Sequence, residues 1–316
     1  MADFTNKSDD HKKLIRLLVP LDGSPMAESV LGVVETLAVH CRANVILLHV
    51  IEKNAPATVH GQPHLTDIAD AEKYLETVSL RLKSAGVSVE SHVHPNEEGD
   101  VAKSIVDHAA EMNPDLVVIC THGSGGLKGL LYGSIAQQAL RKGTWPILLI
   151  PPSASEKSVT AGFKRILVPL DGRHGHETAL NVVTPIACAF EADLHLALVI
   201  PTRGELSGEQ GVSGKFLPSA TKAMLELAVT GSQEYLAEII EQCRAQNLNA
   251  AAEILRGNTV TELLDHADKI QADLIVLVSH GRAGIDALFT GSIAQRIIGK
   301  AGRPLLLVKT PESESK

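Results

Sequence analysis

The sequence predicts two α/β domains in tandem, each a doubly wound parallel sheet of five strands with helices on both faces. Three observations lead to this prediction. The chain of 316 residues is long enough for about two domains, and it contains one pattern written twice. Within each copy, short aliphatic runs alternate with segments of helical periodicity. Phe, Trp and Tyr are scarce at 3% of residues, so the cores are aliphatic, as is typical of parallel strands buried on both faces.

The repeat is visible in two motifs. Arg16–Gly23 recurs as Arg165–Gly172 at an offset of 149 residues, and Asp115–Gly123 recurs as Asp273–Gly281 at an offset of 158. The second copy therefore carries a nine-residue insertion, which we expect in a Gly- and Ser-rich surface loop at 202–218. The expected segments are a polar tail at 1–12, a first domain at 13–151, a linker at 152–162 and a second domain at 163–310.

Within each copy, apolar runs of about four to eight residues predict buried strands. In the first copy they are Leu14–Val19, Val45–Val50, Val87–Val93, Leu116–Cys120 and Ile147–Ile150. Helical patterns separate them near 26–40, 67–85, 100–112 and 134–142. The second copy repeats the strands near 165–168, 194–199, 250–255, 274–278 and 305–308. Because crossovers between parallel strands are right-handed, the economical topology is a doubly wound sheet.

Composition and charge exclude several classes of protein. The net charge of −8, without a long Lys/Arg run, argues against binding to nucleic acid or to acidic membranes. The longest apolar runs are far shorter than a membrane span, and the polar N-terminus shows no signal peptide. The four cysteines are widely spaced and form no C-x-x-C pair, so we expect reduced, buried thiols in a cytoplasmic protein.

An aspartate follows the first strand of each copy, Asp22 in one and Asp171 in the other. In an open parallel sheet, ligands bind beyond the carboxyl ends of the strands, where the strand order reverses. A carboxylate there accepts hydrogen bonds from a sugar hydroxyl or a base amino group. The alternative is that Asp22 caps the helix beginning near Pro25. The recurrence of the aspartate in both copies favours a ligand.

A glycine-rich loop follows the fourth strand of each copy. His122-Gly123 leads to Gly133-Ser134, and His280-Gly281 leads to Gly291-Ser292, with nine residues between the two pairs in both copies. Glycines and a helix N-terminus present backbone N–H groups to an anion, which indicates a phosphate site. The alternative is a flexible connector with an ordinary Ser cap. Three roles are open to His122 and His280: contact with a phosphate, action as a general acid or, as we favour, support of the loop by hydrogen bonds to its backbone.

Other sites are not supported by the sequence. There is no G-x-x-x-x-G-K-S/T motif, no G-x-G-x-x-G after the first strand and no G-x-S-x-G, which disfavours P-loop NTPases, dehydrogenases and nucleophile-elbow hydrolases. The histidine pairs His92/His94 and His174/His176 lack further ligands at a recognisable spacing, so no metal site is predicted. No catalytic residue is predicted.

The strand-end motif and the G-x2-G-x9-G-S/T loop resemble those of the universal stress protein family, in a form with two family domains on one chain. The resemblance covers about Lys13 to Val308. It implies a flavodoxin-like (adenine nucleotide alpha hydrolase-like) fold that binds ATP or another adenine nucleotide, with Mg²⁺ as a candidate companion ion. It also implies pairing of the two domains through their fifth strands, 145–150 and 303–308, and a homodimer is a further candidate assembly.

The resemblance assigns site residues position by position. Those aligned with adenosine contacts are Pro20, Asp22 and Val50 in the first copy, and Pro169, Asp171 and Val199 in the second. Those aligned with ribose and phosphate contacts are Gly123, Gly133 and Ser134, then Gly281, Gly291 and Ser292. The same strand ends and loops add Cys120, His122, Gly126, Ile135, Val278, His280, Arg282, Gly284 and Ile293 to the predicted cofactor-binding set.

The two copies match the family pattern unequally. Both depart from it at the first motif glycine, replaced by Cys120 and Val278. The second copy also has Arg173 where the first has Ser24, and Asp286 where the first has Lys128. An added carboxylate near a triphosphate is unfavourable. The first site is therefore the stronger prediction.

The leading functional prediction is a cytoplasmic stress or signalling protein that binds an adenine nucleotide and reports it through conformation or partner binding, with little turnover. Two alternatives stay open. One is a slow ATPase or nucleotidyl-transfer enzyme that uses the same loop. The other is a module that has lost nucleotide binding and serves dimerisation or an apolar ligand.

Overall fold

A computed structural model describes most of the chain. The described residues are 14–52, 58–59, 62–63, 65–95, 101–121, 145–151, 162–173, 178–206, 216–279 and 293–309.

The first copy supplies seven strands and four helices to the described structure, in the order expected of βαβ units. They are β1 Arg16–Pro20, α1 Pro25–Glu28, α2 Leu31–Cys41, β2 Asn44–Ile51, β3 Thr58–Val59, β4 Gln62–Pro63, α3 Ile68–Ser84, β5 Ser88–Pro95, α4 Val101–Met112, β6 Leu116–Cys120 and β7 Ile147–Ile150. All five predicted strands are present, within two residues at each end. The predicted helix at 26–40 is divided into α1 and α2, and the one predicted at 134–142 lies outside the described residues.

The second copy repeats this order without the short β3–β4 hairpin among its described residues. Its elements are β8 Arg165–Leu170, α5 Thr178–Phe190, β9 Asp193–Ile200, a 3-10 turn at Arg203–Glu205, α6 Pro218–Ala245, β10 Ala250–Arg256, α7 Thr259–Lys269, β11 Leu274–Ser279, α8 Ile293–Ile298 and β12 Leu305–Lys309.

The ten long strands form one sheet in the order β10-β9-β8-β11-β12-β7-β6-β1-β2-β5. Each half is parallel, and its strand order reverses between its first and fourth strands, as a doubly wound sheet requires. The two predicted five-stranded sheets are joined by an antiparallel pairing of β7 with β12, in which Leu148 faces Leu306. The fifth strands therefore pair within the chain, as the resemblance implied.

Aliphatic side chains fill both faces of the sheet. One core lies under α2, α3, α5 and α6 and the other under α4, α7 and α8. Successive residues of β2, Ile46 and Leu47, are fully buried on opposite faces, which explains the apolar composition of the central strands. Across the junction of the two halves, the Phe190 ring of α5 stacks on His40 of α2, with 4.5 Å between ring centroids.

The predicted location of the insertion is wrong. The connections from β2 to α3 (52–67) and from β9 to α6 (201–217) differ by one residue, whereas α6 has 28 residues and α3 has 17. The connection from β10 to α7 is three residues shorter than the connection from β5 to α4, and this brings the net excess of the second copy back to nine residues. The extra residues lie in α6, which begins at Pro218 where the predicted loop ends and continues through the helix-favouring run after it.

The thiols are free, as expected, but their burial differs from the prediction. All four cysteines are unpaired; only Cys243 is buried, while Cys41 and Cys120 are half-buried and Cys188 is exposed. Cys188 lies on the outward face of α5, where the helix needs no apolar contact. Within the described part of the chain, none of the helices has the length and apolar character needed to cross a bilayer.

Candidate functional site

The carboxyl ends of three adjacent strands meet at one edge of the first half. β1 lies between β2 and β6 with all three parallel, so Pro20, Val50 and Cys120 reach the same edge, and Asp22 follows Pro20 by two residues. This is the point where the strand order reverses, which is the usual ligand crevice of such sheets. The structure therefore brings together the four predicted contacts that lie in the described part of this half.

Asp22 shapes a tight turn and does not cap the helix. Its Oδ1 accepts a hydrogen bond from the Ser24 N–H at 2.9 Å, and the Ser24 hydroxyl is the N-cap of α1, accepting from the Ala27 N–H at 3.1 Å. Gly23 supports the turn at φ +85°, in the left-handed region. No described residue forms a hydrogen bond or ion pair with Asp22 Oδ2. One carboxylate oxygen is thus used by the turn, and the other has no bond to the described residues.

Cys120 occupies the end of β6, where the family pattern has its first glycine. Its Sγ accepts from the Ser29 hydroxyl, between α1 and α2, and donates to the Thr121 carbonyl, both at 3.2 Å. Burial is the main cause that raises the pKa of the thiol, the Asp22 charge adds to it, and the Ser29 bond opposes both. The thiol is therefore protonated at neutral pH and held against the helix junction.

The second half has the same edge with different chemistry. Asp171 Oδ1 accepts from the Arg173 N–H at 3.1 Å, and the Arg173 guanidinium lies 3.9 Å from Asp171 Oδ2. Arg173 thus approaches the second carboxylate oxygen, the equivalent of which in the first half has no bond to the described residues. Val278 closes the end of β11 in place of Cys120, and Pro169 and Val199 take the positions of Pro20 and Val50.

A sequence profile of the universal stress protein family matches residues 15–151 and again residues 162–309. The chain belongs to the universal stress protein family. It is 28% identical over 152 residues to a universal stress protein of Methanocaldococcus jannaschii, a match covering 48% of this chain and 85% of the relative. It is 26% identical over 254 residues to one of Mycobacterium tuberculosis, covering 79% of this chain and 76% of the relative.

The fold of this universal stress protein matches solved structures along nearly its whole length. The crystal structure of a universal stress protein from Archaeoglobus fulgidus superposes with a TM-score of 0.69 at 19% identity, covering 93% of this chain and 98% of that one. At this identity the likeness shows the fold alone, because one fold can carry many different functions.

The glycine-rich loops of the family pattern fall outside the described residues. The predicted site residues concerned are His122, Gly123, Gly126, Gly133, Ser134, Ile135, His280, Gly281, Arg282, Gly284, Gly291 and Ser292. Ile293 lies inside the described part as the first residue of α8, and its side chain is exposed. The described site therefore consists of the strand-end half of the predicted set.

Sequence reasoning missed Tyr74 and Glu28, which border the first site. Burial is the main cause that raises the pKa of the Tyr74 hydroxyl, and the charges of Glu28 and Asp22 raise it further. Tyr74 lies on α3 next to the buried stripe formed by Ala71 and Leu75. The spacing of these residues predicts that this side of α3 is buried, but it does not show that α3 reaches the Asp22 turn.

The structure adds a third histidine to one predicted pair. The rings of His94 on β5 and His108 on α4 have centroids 4.2 Å apart, and His92 lies on the same strand. Burial, followed by the His94 charge, lowers the pKa of His108. No group of three or more His, Cys, Asp or Glu side chains in the described ranges is arranged to hold a metal ion. His174 and His176 lie outside those ranges.

Proposed function

We propose that this universal stress protein binds an adenine nucleotide, ATP or AMP, at the strand-end edge of its first half, and acts as a cytoplasmic stress-response module. The observation that supports this most directly is the Asp22 carboxylate, which lies where the strand order reverses and uses only Oδ1 in its own turn. Such an acceptor is suited to a ribose hydroxyl or the adenine amino group, and Mg²⁺ would accompany the phosphates of ATP.

The first half is the main site in this proposal, and the second binds weakly or not at all. The proximity of Arg173 to Asp171 supports this difference, although an exposed pair of this kind contributes only about 0–1 kcal/mol. The position of the guanidinium matters more than the strength of the ion pair, because the guanidinium lies beside the carboxylate oxygen that a ligand hydroxyl would use. A stoichiometry of one nucleotide per chain is expected.

The experiment combines identification with site-directed change. The purified protein is denatured, the released small molecules are identified, and ATP, ADP and AMP are titrated calorimetrically into protein freed of ligand. Asp22→Ala is expected to abolish the binding heat, whereas Asp171→Ala and the matched surface control Glu72→Ala leave it nearly unchanged. Absence of both a released nucleotide and a binding heat in the unaltered protein would refute the proposal.

A further inference from the structure

A histidine with 1% of its surface exposed lies beside the Asp22 turn. His49 is the sixth residue of β2, a strand that is otherwise apolar through its buried stretch. Burying an imidazole is costly unless its nitrogens find hydrogen-bond partners. Nδ1 lies 2.8 Å from the Leu21 carbonyl oxygen and has its partner there, while Nε2 faces the Leu65 carbonyl oxygen at the longer distance of 3.4 Å, a contact that is a hydrogen bond only when the ring carries a second N–H. Because a carbonyl oxygen only accepts, Nδ1 is the donor in the shorter contact.

Both partners of His49 contact the Asp22 turn. Leu21 directly precedes Asp22, and its N–H already donates to the Leu48 carbonyl, so both of its backbone groups are held by β2. Leu65 contacts the turn at Gly23. A Cβ added to Gly23 would come within 2.7 Å of Leu65 Cδ1, which shows that this side chain covers the glycine closely. His49 therefore bonds to the residue before Asp22 and contacts the residue that covers Gly23.

The second half supplies a natural comparison at this position. At the 149-residue offset, Leu198 occupies the place of His49, and its Cδ1 lies 3.1 Å from a Cβ built on Gly172, the equivalent of Gly23. A leucine at this position is thus compatible with the same strand and the same glycine turn. The imidazole is not required by the fold, and it occurs in the half where no guanidinium of the described residues pairs with the strand-end aspartate.

We propose that His49 is the positioning residue of the first nucleotide site. By donating to the Leu21 carbonyl and packing against the Leu65 segment, it keeps the Asp22 carboxylate in the orientation in which Oδ1 accepts from Ser24 and Oδ2 faces a ligand. The inference rests on the proposed nucleotide function, since the role assigned to His49 is to hold the carboxylate for that ligand.

The test compares two substitutions of unequal chemistry. His49→Leu introduces the residue that the second half uses, and His49→Asn keeps an amide donor near the position of Nδ1. We expect His49→Leu to weaken ATP or AMP binding about tenfold or more, and His49→Asn to restore most of the affinity. Leu65→Ala, which uncovers Gly23 without altering the sheet, is expected to weaken binding in the same direction. His92→Leu, an exposed histidine of β5, is the matched control and should bind as the unaltered protein does.

A second readout needs no nucleotide. Hydrogen exchange of the Ser24 amide reports the bond to Asp22 Oδ1, and it should accelerate in His49→Leu and Leu65→Ala but not in His49→Asn. Unchanged affinity and unchanged Ser24 exchange in the first two variants would overturn the inference while leaving nucleotide binding intact. If the unaltered protein binds no nucleotide, the proposed function fails, and a Ser24 exchange rate equal in all variants would overturn the positioning role as well.

Discussion

The start of the first sheet depends on one carboxylate, and its removal is expected to destabilise that half. Asp115 immediately precedes β6, and its Oδ2 accepts from the N–H groups of Ile15 and Arg16 at 2.9 and 3.0 Å, which joins β6 to the beginning of β1. Hydrogen bonds to charged groups each contribute about 1.5–3 kcal/mol. Because the carboxylate is half-buried and keeps part of its hydration, we expect Asp115→Ala to lower the free energy of unfolding by about 2–4 kcal/mol.

The assay is urea unfolding followed by the fluorescence of Trp145, the only tryptophan of the chain. Trp145 lies half-buried just before β7, the strand paired with β6, so it reports the affected half. Asp115→Asn keeps an acceptor oxygen without the charge, and about half the loss is expected. If Asp115→Ala unfolds within about 0.5 kcal/mol of the unaltered protein, as an unremarkable surface substitution does, the two bonds do not hold the strand as argued.

Three further predictions follow from the second half. Asp273 accepts hydrogen bonds from the equivalent N–H groups of Lys164 and Arg165, and burial raises its pKa above 3.8. The folded protein therefore favours the protonated carboxyl, so the free energy of unfolding, relative to that of Asp273→Asn, should fall as pH rises through the pKa of this carboxyl. Urea unfolding between pH 3 and 7 measures this. Burial lowers the pKa of His266 below 6.5, so acidification through pH 6.5 should reduce stability, and His266→Phe should lessen that loss in thermal melts across the same range. Leu306 is buried in β12 at the junction of the halves, so Leu306→Ala should lower the free energy of unfolding by about 2–5 kcal/mol. A loss below about 1 kcal/mol in the same urea assay would contradict the tight packing of that junction.

The strands were predictable because each is buried on both faces, which leaves a continuous apolar run that sequence reasoning detects directly. The fifth-strand pairing followed from the resemblance. Features set by contacts between distant residues were not predictable. The break between α1 and α2 includes Ser29, whose hydroxyl bonds to Cys120, a residue far away in the sequence. The length of α6 is not predictable either, because the Gly- and Ser-rich composition before Pro218 indicates an inserted loop and not a longer helix.

The same distinction applies to the site. The positions of Asp22 and Cys120 followed from chain order alone, because the ends of parallel strands share one edge. The roles of the side chains did not. Ser24 rather than Asp22 caps α1, Arg173 approaches Asp171, and His49 reaches two carbonyls, and each of these facts depends on rotamers and on a packed environment that spacing does not specify.

The antiparallel β7–β12 junction has a consequence for how the two halves evolve and assemble. Because both partners are on one polypeptide, their pairing is intramolecular and independent of protein concentration, so dilution in a cell does not separate them. Every molecule also contains one copy of the first half and one copy of the second. A substitution in one half, such as the arginine beside Asp171, is therefore always accompanied by a partner half without it, whereas a homodimer would carry the change twice. The covalent link thus permits the two halves to specialise.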